Sequence, residues 1–181
     1  MARLAGRVTR NDGNWQAQPL TASGRVLGAG SQLEIERLAA RSGANRVDLD
    51  GAIGDRLDLR FALDLPELSS LYPALRGHLA GQGELGGTIA APTLAARLQG
   101  GELALAEHRL EQLALTLDWP LDPQAPARVD LSASGLRLPA AQTLEQVSLT
   151  LDGSPARHRL DLALTGPAGQ LDLAAAGGWQ A

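Results

Sequence analysis

From Leu57 to Leu65 the chain reads Leu-Asp-Leu-Arg-Phe-Ala-Leu-Asp-Leu, so that Leu57, Leu59, Phe61, Leu63 and Leu65 share one face and Asp58, Arg60 and Asp64 take the other. A repeat of two is the period of a β-strand with one apolar side. The same alternation recurs at Leu113-Ala-Leu-Thr-Leu117, Val129-Asp-Leu131, Val147-Ser-Leu-Thr-Leu151, Leu160-Asp-Leu-Ala-Leu164 and Leu171-Asp-Leu173. Between Gly77 and Ile89 it continues with glycine at many apolar-side positions. Turn signals separate these runs at Asn11-Asp-Gly13, Ser42-Gly43, Asp50-Gly51, Asp152-Gly153, Gly166-Pro167 and the proline-rich stretch from Pro120 to Pro126. The pattern predicts about twelve short strands. One helical turn is expected, over Pro66 to Tyr72, opened by proline and stopped by Pro73.

The strands repeat. Residues 109–118 read Arg-Leu-Glu-Gln-Leu-Ala-Leu-Thr-Leu-Asp, and residues 143–152, thirty-four positions later, read Thr-Leu-Glu-Gln-Val-Ser-Leu-Thr-Leu-Asp. Each is followed by an Arg-containing loop and a strand, at Val129 and at Leu160. Leu33 to Leu38 followed by Arg46 to Leu49 forms a third, diverged copy. Repeats of this length imply an array that grows in one direction. The leucine-rich-repeat pattern fits Leu110-x-x-Leu113-x-Leu115 and then fails, because no asparagine and no helix follow. Residues 13–17 (Gly-Asn-Trp-Gln-Ala) are echoed at 177–181 (Gly-Gly-Trp-Gln-Ala), so residues 1–181 are expected to be one segment of a longer array with no internal domain boundary.

The apolar content has an unusual make-up. Hydrophobic residues are 44% of the chain and aromatics only 3%, with one Phe, one Tyr and three Trp. A compact core commonly uses aromatics to fill volume. A surface built from Leu, Val and Ala can stay apolar without shape-specific packing. The expected fold class is therefore all-β: an elongated repetitive sheet curled into a U-shaped trough with an apolar interior. A closed β-helix and a β-sandwich are the alternatives, the sandwich because two apolar faces can bury each other.

Charge and candidate chemistry narrow the function. The net charge is −4, and all sixteen basic residues are Arg, scattered among Asp and Glu, so no basic stripe for nucleic acid exists. There is no cysteine, and no apolar run is long enough to span a bilayer. Gly81-x-Gly83-x-x-Gly86 matches a dinucleotide fingerprint in letters, but Gly87 and Pro92 follow where a helix is required. His78, His108 and His158 are not at metal-ligand spacing, and Ser154 near His158 has no nucleophile context. No catalytic residues, metal or cofactor are expected, and the chain is read as a non-enzyme.

What remains is the apolar face. The expected floor comprises Leu57, Leu59, Phe61, Leu63, Leu113, Leu115, Leu117, Val129, Leu131, Val147, Leu149, Leu151, Leu160, Leu162 and Leu164. Leaving it in water costs about 25 cal/mol per Å², so a ligand should cover it. Acyl chains are apolar, linear and tolerant of imprecise packing.

The stretches Leu63-Asp-Leu-Pro-Glu-Leu-Ser-Ser-Leu-Tyr-Pro73, Leu75-Arg-Gly-His-Leu-Ala-Gly-Gln-Gly-Glu-Leu85 and Gly87-Thr-Ile-Ala-Ala-Pro-Thr-Leu94 resemble the TamB family, related to the AsmA-like proteins. The resemblance covers essentially the whole chain and rests on degenerate repeats, not on catalytic residues. It implies a periplasmic protein held in the inner membrane by a single N-terminal helix, with a taco-shaped sheet and a greasy interior. It also implies a partner, the outer-membrane barrel TamA, and a role in carrying phospholipid between the membranes, as a lipid conduit. A scaffold for translocation and assembly of outer-membrane proteins and autotransporters is the alternative; an adhesin-like closed β-helix without ligand is a third.

Overall fold

The computed structural model describes residues 3–15, 18–120, 122, 125–139, 142–154 and 156–178. Twelve strands form one sheet whose spatial order is the chain order. They are β1 (Arg3–Trp15), β2 (Gln18–Ala29), β3 (Gln32–Ser42), β4 (Asn45–Ile53), β5 (Leu57–Leu65) and β6 (Leu75–Gly87). Then follow β7 (Pro92–Leu105), β8 (His108–Pro120), β9 (Ala127–Leu138), β10 (Gln142–Ser154), β11 (Arg157–Gly166) and β12 (Gly169–Gly177). Every neighbouring pair is antiparallel. A closed β-helix needs parallel coils, and a sandwich needs a second sheet, so this meander is neither. The sheet does not close into a barrel: β1 and β12 are its free ends. It is an open, curled trough.

The sequence repeat is a β-hairpin. Its copies are the pairs β8–β9, β10–β11 and β3–β4. The thirty-four-residue step advances two strands without changing row: Leu115 pairs with Leu131, and Leu131 pairs with Leu149. Each copy therefore lengthens the sheet while keeping its apolar side in line.

Three expected turns are strand instead. Asn11-Asp-Gly13 lies inside β1, beside a bulge between Val8 and Asn11. Asp50-Gly51 lies inside β4, and Asp152-Gly153 inside β10. Gly51 and Gly153 have φ of +130° and +118°, where a side chain is strained, so the glycine bends a continuing strand and does not reverse it. The Ser42-Gly43 and Gly166-Pro167 signals do border real turns. The expected helical turn is a short 3-10 segment, Leu68–Ser70, between β5 and β6.

On the outer face, charges alternate from strand to strand. Asp50 pairs with Arg60, Arg60 with Glu84, Asp118 with Arg128, Arg128 with Asp152 and Asp152 with Arg159. A one-residue slip would put charges on the apolar side, so the ladder and the floor fix register together. Ion pairs also form along strands, Arg128 with Asp130 at 2.9 Å and Arg159 with Asp161 at 2.7 Å. Hydrogen bonds from Arg46 and Arg159 hold the Asp48 and Asp161 carboxyls below the usual carboxylate range. A lowered folded value adds stability above the unfolded value near ~4, and this is lost as pH falls through the folded value. Such exposed pairs contribute little at neutral pH.

Neighbouring strands and side chains close in where the floor has no side chain. A Cβ on Gly83 would lie 2.5 Å from the Ala95 carbonyl oxygen and 2.4 Å from Phe61 Cζ, and one on Gly81 2.5 Å from the Arg97 oxygen. Gly83→Ala should cost about 1–3 kcal/mol through forced displacement of β7, read as a lower midpoint in chemical unfolding. Twelve strands at about 4.8 Å spacing give a length near ~55 Å. Small-angle scattering should return an elongated particle; a spherical one would contradict the open array.

Candidate functional site

The fifteen expected floor residues all lie on one face and fall into rows that cross the sheet. One row runs Ala22, Ala40, Val47, Leu63, Gly81, Leu98, Leu115, Leu131, Leu149, Leu162, Leu173, each paired with the next, from β2 to β12. A second runs Gly24, Leu38, Leu49, Phe61, Gly83, Ala96, Leu117, Val129, Leu151, Leu160, Ala175. A third, from Leu65 in β5, passes through Leu79, Gly100, Leu113, Ala133, Val147, Leu164 and Leu171. Leu59 stands in a fourth row with Leu85, Leu94 and Trp119, and Leu57 lies opposite Ile53 at the margin. No charged side chain interrupts any of these stretches.

The floor is lined but not covered. Of the fifteen residues only Leu59 is buried, at 8% exposure; the other fourteen are half-buried. Among the described residues, no large side chain is completely enclosed. A compact core packs each interior side chain on all sides. Here side chains touch their neighbours along the sheet, and one side stays open. The outer neighbours Asp58, Arg60, Asp64, Thr116 and Asp118 are exposed. Leu171 and Leu173 of the end strand β12 are 57% and 49% exposed.

Sequence reading missed part of the floor. Leu38 follows an irregularity in β3, between Ile35 and Leu38, where strict alternation breaks, and Val47-Asp-Leu49 keeps the period over only three residues. Leu98 lies among small residues in Ala95-Ala-Arg-Leu-Gln-Gly100, and the floor-side positions on either side of it are Ala96 and Gly100, so the period back to Leu94 is faint. The pairing with Gly81 and Leu115 places it.

Polar groups also sit on the floor side, and Asn45 is the most buried of them. Asn45 shares the face of Val47 and Leu49 and is 2% exposed. Its Nδ2 donates to the Glu67 carbonyl at 2.8 Å and to Ser70 Oγ at 2.6 Å, and the Glu67 N–H donates to Asn45 Oδ1 at 3.1 Å. Asn45 thereby ties the Leu68–Ser70 turn over the floor side, and Leu68 is 5% exposed there. Next to it Ser42 Oγ is buried without a hydrogen-bond partner.

The remaining candidate chemistry does not assemble. The Gly81–Gly86 fingerprint is continuous strand, with no helix N-terminus to meet a pyrophosphate. Among the described residues, no three metal-binding side chains gather, and no helix is long and apolar enough to cross a membrane.

A family model described as the N-terminal domain of TamB matches residues 9–181. The chain belongs to the TamB family. The translocation and assembly module subunit TamB of Haemophilus influenzae is 23% identical over 156 residues, covering 86% of this chain and 12% of that protein. The chain thus spans about an eighth of that TamB relative, as the 12% coverage gives. No solved structure matches.

If the rows are the side that meets lipid, a photo-crosslinker at Leu115 or Leu149 in cells should capture phospholipid, and one at Asp130 or Asp161 should not. Equal capture from both faces would contradict the assignment.

Proposed function

We propose that this segment is a stretch of a periplasmic conduit, in which phospholipid acyl chains lie along the apolar rows on their way between inner and outer membrane. The observation that carries the reading is the unbroken row from Ala22 to Leu173, apolar at every strand and uncovered by any second layer. A linear apolar ligand fits a linear apolar path, and an interior without shape-specific pockets fits chains of varied length and unsaturation. Headgroups stay at the open side of the trough, so they need not be desolvated. No residue is catalytic in this reading, and no cofactor is required. Parts of the protein outside this segment would supply the inner-membrane anchor and the contact with the outer-membrane barrel TamA. The wider role is outer-membrane biogenesis.

A second reading is a scaffold for assembly, in which the same apolar groove holds unfolded outer-membrane polypeptide; it is consistent with the relative's printed name.

Leu115→Arg and Leu162→Arg, each in the full-length protein, separate the two. Both residues lie in the continuous row. A desolvated cation there opposes passage of acyl chains by several kcal/mol, whereas the long Arg side chain can reach water at the open side and spare the fold. The conduit reading expects a folded, normally abundant protein that no longer supplies lipid to the outer membrane. The scaffold reading expects slight loss from one position among many. A folded Arg variant with normal lipid supply would contradict a single continuous path.

A further inference from the structure

The strands run across the trough, so the hairpin ends form its lips. At one lip the alternation of charge fails. Arg76, Arg109 and Arg137 stand one residue in from the ends of β6, β8 and β9, and all three are exposed. They share a single row: Arg76 pairs with Ala104, Ala104 with Arg109, and Arg109 with Arg137. Like charges directly opposite each other destabilise a sheet. Arginines also face each other at Arg25–Arg37 and Arg41–Arg46, but there Glu36 takes up Arg25, and Asp48 takes up Arg37 and Arg46. At the lip Glu111 answers Arg137 alone, at 3.1 Å. Among the described residues Arg76 and Arg109 have no ion-pair partner.

The backbone makes room for this row. In β8, Leu110 and Leu113 are both half-buried and are separated by two exposed residues, Glu111 and Gln112, so strict alternation slips by one. At the same level the register of β6 with β7 shifts between Arg76 and His78, Glu102 of β7 has a φ of +53°, and Gly135 of β9 has a φ of +65°. Glu111 lies over Gly135, in the space a Cβ would take. The slip keeps half-buried Leu110 and Leu136 beside the floor and leaves their neighbours Arg109 and Arg137 exposed at the lip. A concavity of about 720 Å³ opens here, lined by the three arginines and by Ala104, Leu103 and Leu110. Glu102 and Glu111 also line it, so its charged groups leave one positive charge in excess.

We propose that this lip is a phosphate site: Arg76 and Arg109 hold the phosphodiester of an anionic phospholipid whose acyl chains lie on the floor beside Leu110 and Leu113. The proposal rests on the conduit reading and adds a lipid preference to it. Arg76 and Arg109 are two strands apart, about 10 Å, with the small Ala104 between them, so two extended arginine side chains can meet on one phosphate. Guanidinium groups bind phosphate oxygens through paired N–H donors. Leu103 and Leu110 give the same concavity an apolar wall for the glycerol end of the lipid. A phosphodiester carries one negative charge, which matches the excess at the lip. A headgroup that adds an ammonium restores the positive charge, so phosphatidylglycerol is favoured over phosphatidylethanolamine.

The test uses purified full-length protein loaded from vesicles of equal phosphatidylglycerol and phosphatidylethanolamine. A photo-crosslinker is placed at Leu110, beside the lip, or at Leu149, in the middle of the floor, and mass spectrometry of the adducts reads which lipid is captured. The ratio of phosphatidylglycerol to phosphatidylethanolamine at Leu110 should exceed that at Leu149 about threefold, and the excess should shrink in high salt. Arg76→Gln with Arg109→Gln should bring the two ratios together without lowering capture at Leu149, and Arg76→Lys with Arg109→Lys should keep most of the excess. Millimolar inorganic phosphate should not remove it, because the acyl chains hold the lipid phosphate at the lip; removal would assign the site to free phosphate and overturn the lipid reading of it. Equal ratios at the two positions, or an excess that survives the glutamine variant, would overturn the site and leave the conduit standing. No lipid at either position would overturn the conduit, and the site with it.

Discussion

A sheet with one apolar face must put that face somewhere, and in most domains a second layer receives it. This chain supplies no second layer among its described residues. Its twelve strands pass in chain order, each touching chiefly its two neighbours, and among the described residues the only element outside the sheet that covers the floor side is the Leu68–Ser70 turn at Asn45. Other features follow from that constraint. The floor is largely aliphatic, because no opposing surface gives aromatic side chains a fixed socket; Phe61 and Trp119 are the aromatic members of its rows. It must be continuous, because a charge in any row would sit in a groove with no partner. The register must be strict, and the alternating ladder from Asp50 to Arg159 on the outer side penalises any slip.

Curl and continuity conflict locally, and glycine resolves the conflict. Bending a strand towards its own side chains brings the next strand's carbonyls onto the Cβ positions, as at Gly24, Gly81 and Gly83. Removing the side chain permits the bend and opens a gap in the row. Neighbours fill that gap: Leu38 at Gly24, Leu98 at Gly81, Phe61 at Gly83. The path stays apolar.

Much of this was legible in the sequence. The fifteen floor residues, the hairpin repeat and the helical turn after Pro66 each have a local period or punctuation that reflects their geometry. The parallel or antiparallel sense of the strands was not, because a period of two is the same in a β-helix and a meander. Nor was the difference between a turn and a bulge at Asp50-Gly51 and Asp152-Gly153, since a glycine with positive φ serves both. Asn45 reads as a turn residue beside Ser42-Gly43. Its bonds to Glu67 and Ser70, twenty-two and twenty-five positions away, depend on tertiary placement that no local pattern encodes.

The most direct test of an open, lipid-bearing floor is native mass spectrometry of the full-length protein, extracted gently and never exposed to strong detergent. An uncovered aliphatic trough should carry phospholipid through purification, seen as mass increments of one or more lipids, and Leu115→Arg should lower their number. A protein that emerges bare, with its mass unchanged by added phospholipid vesicles, would contradict the central claim that the floor is kept open for acyl chains.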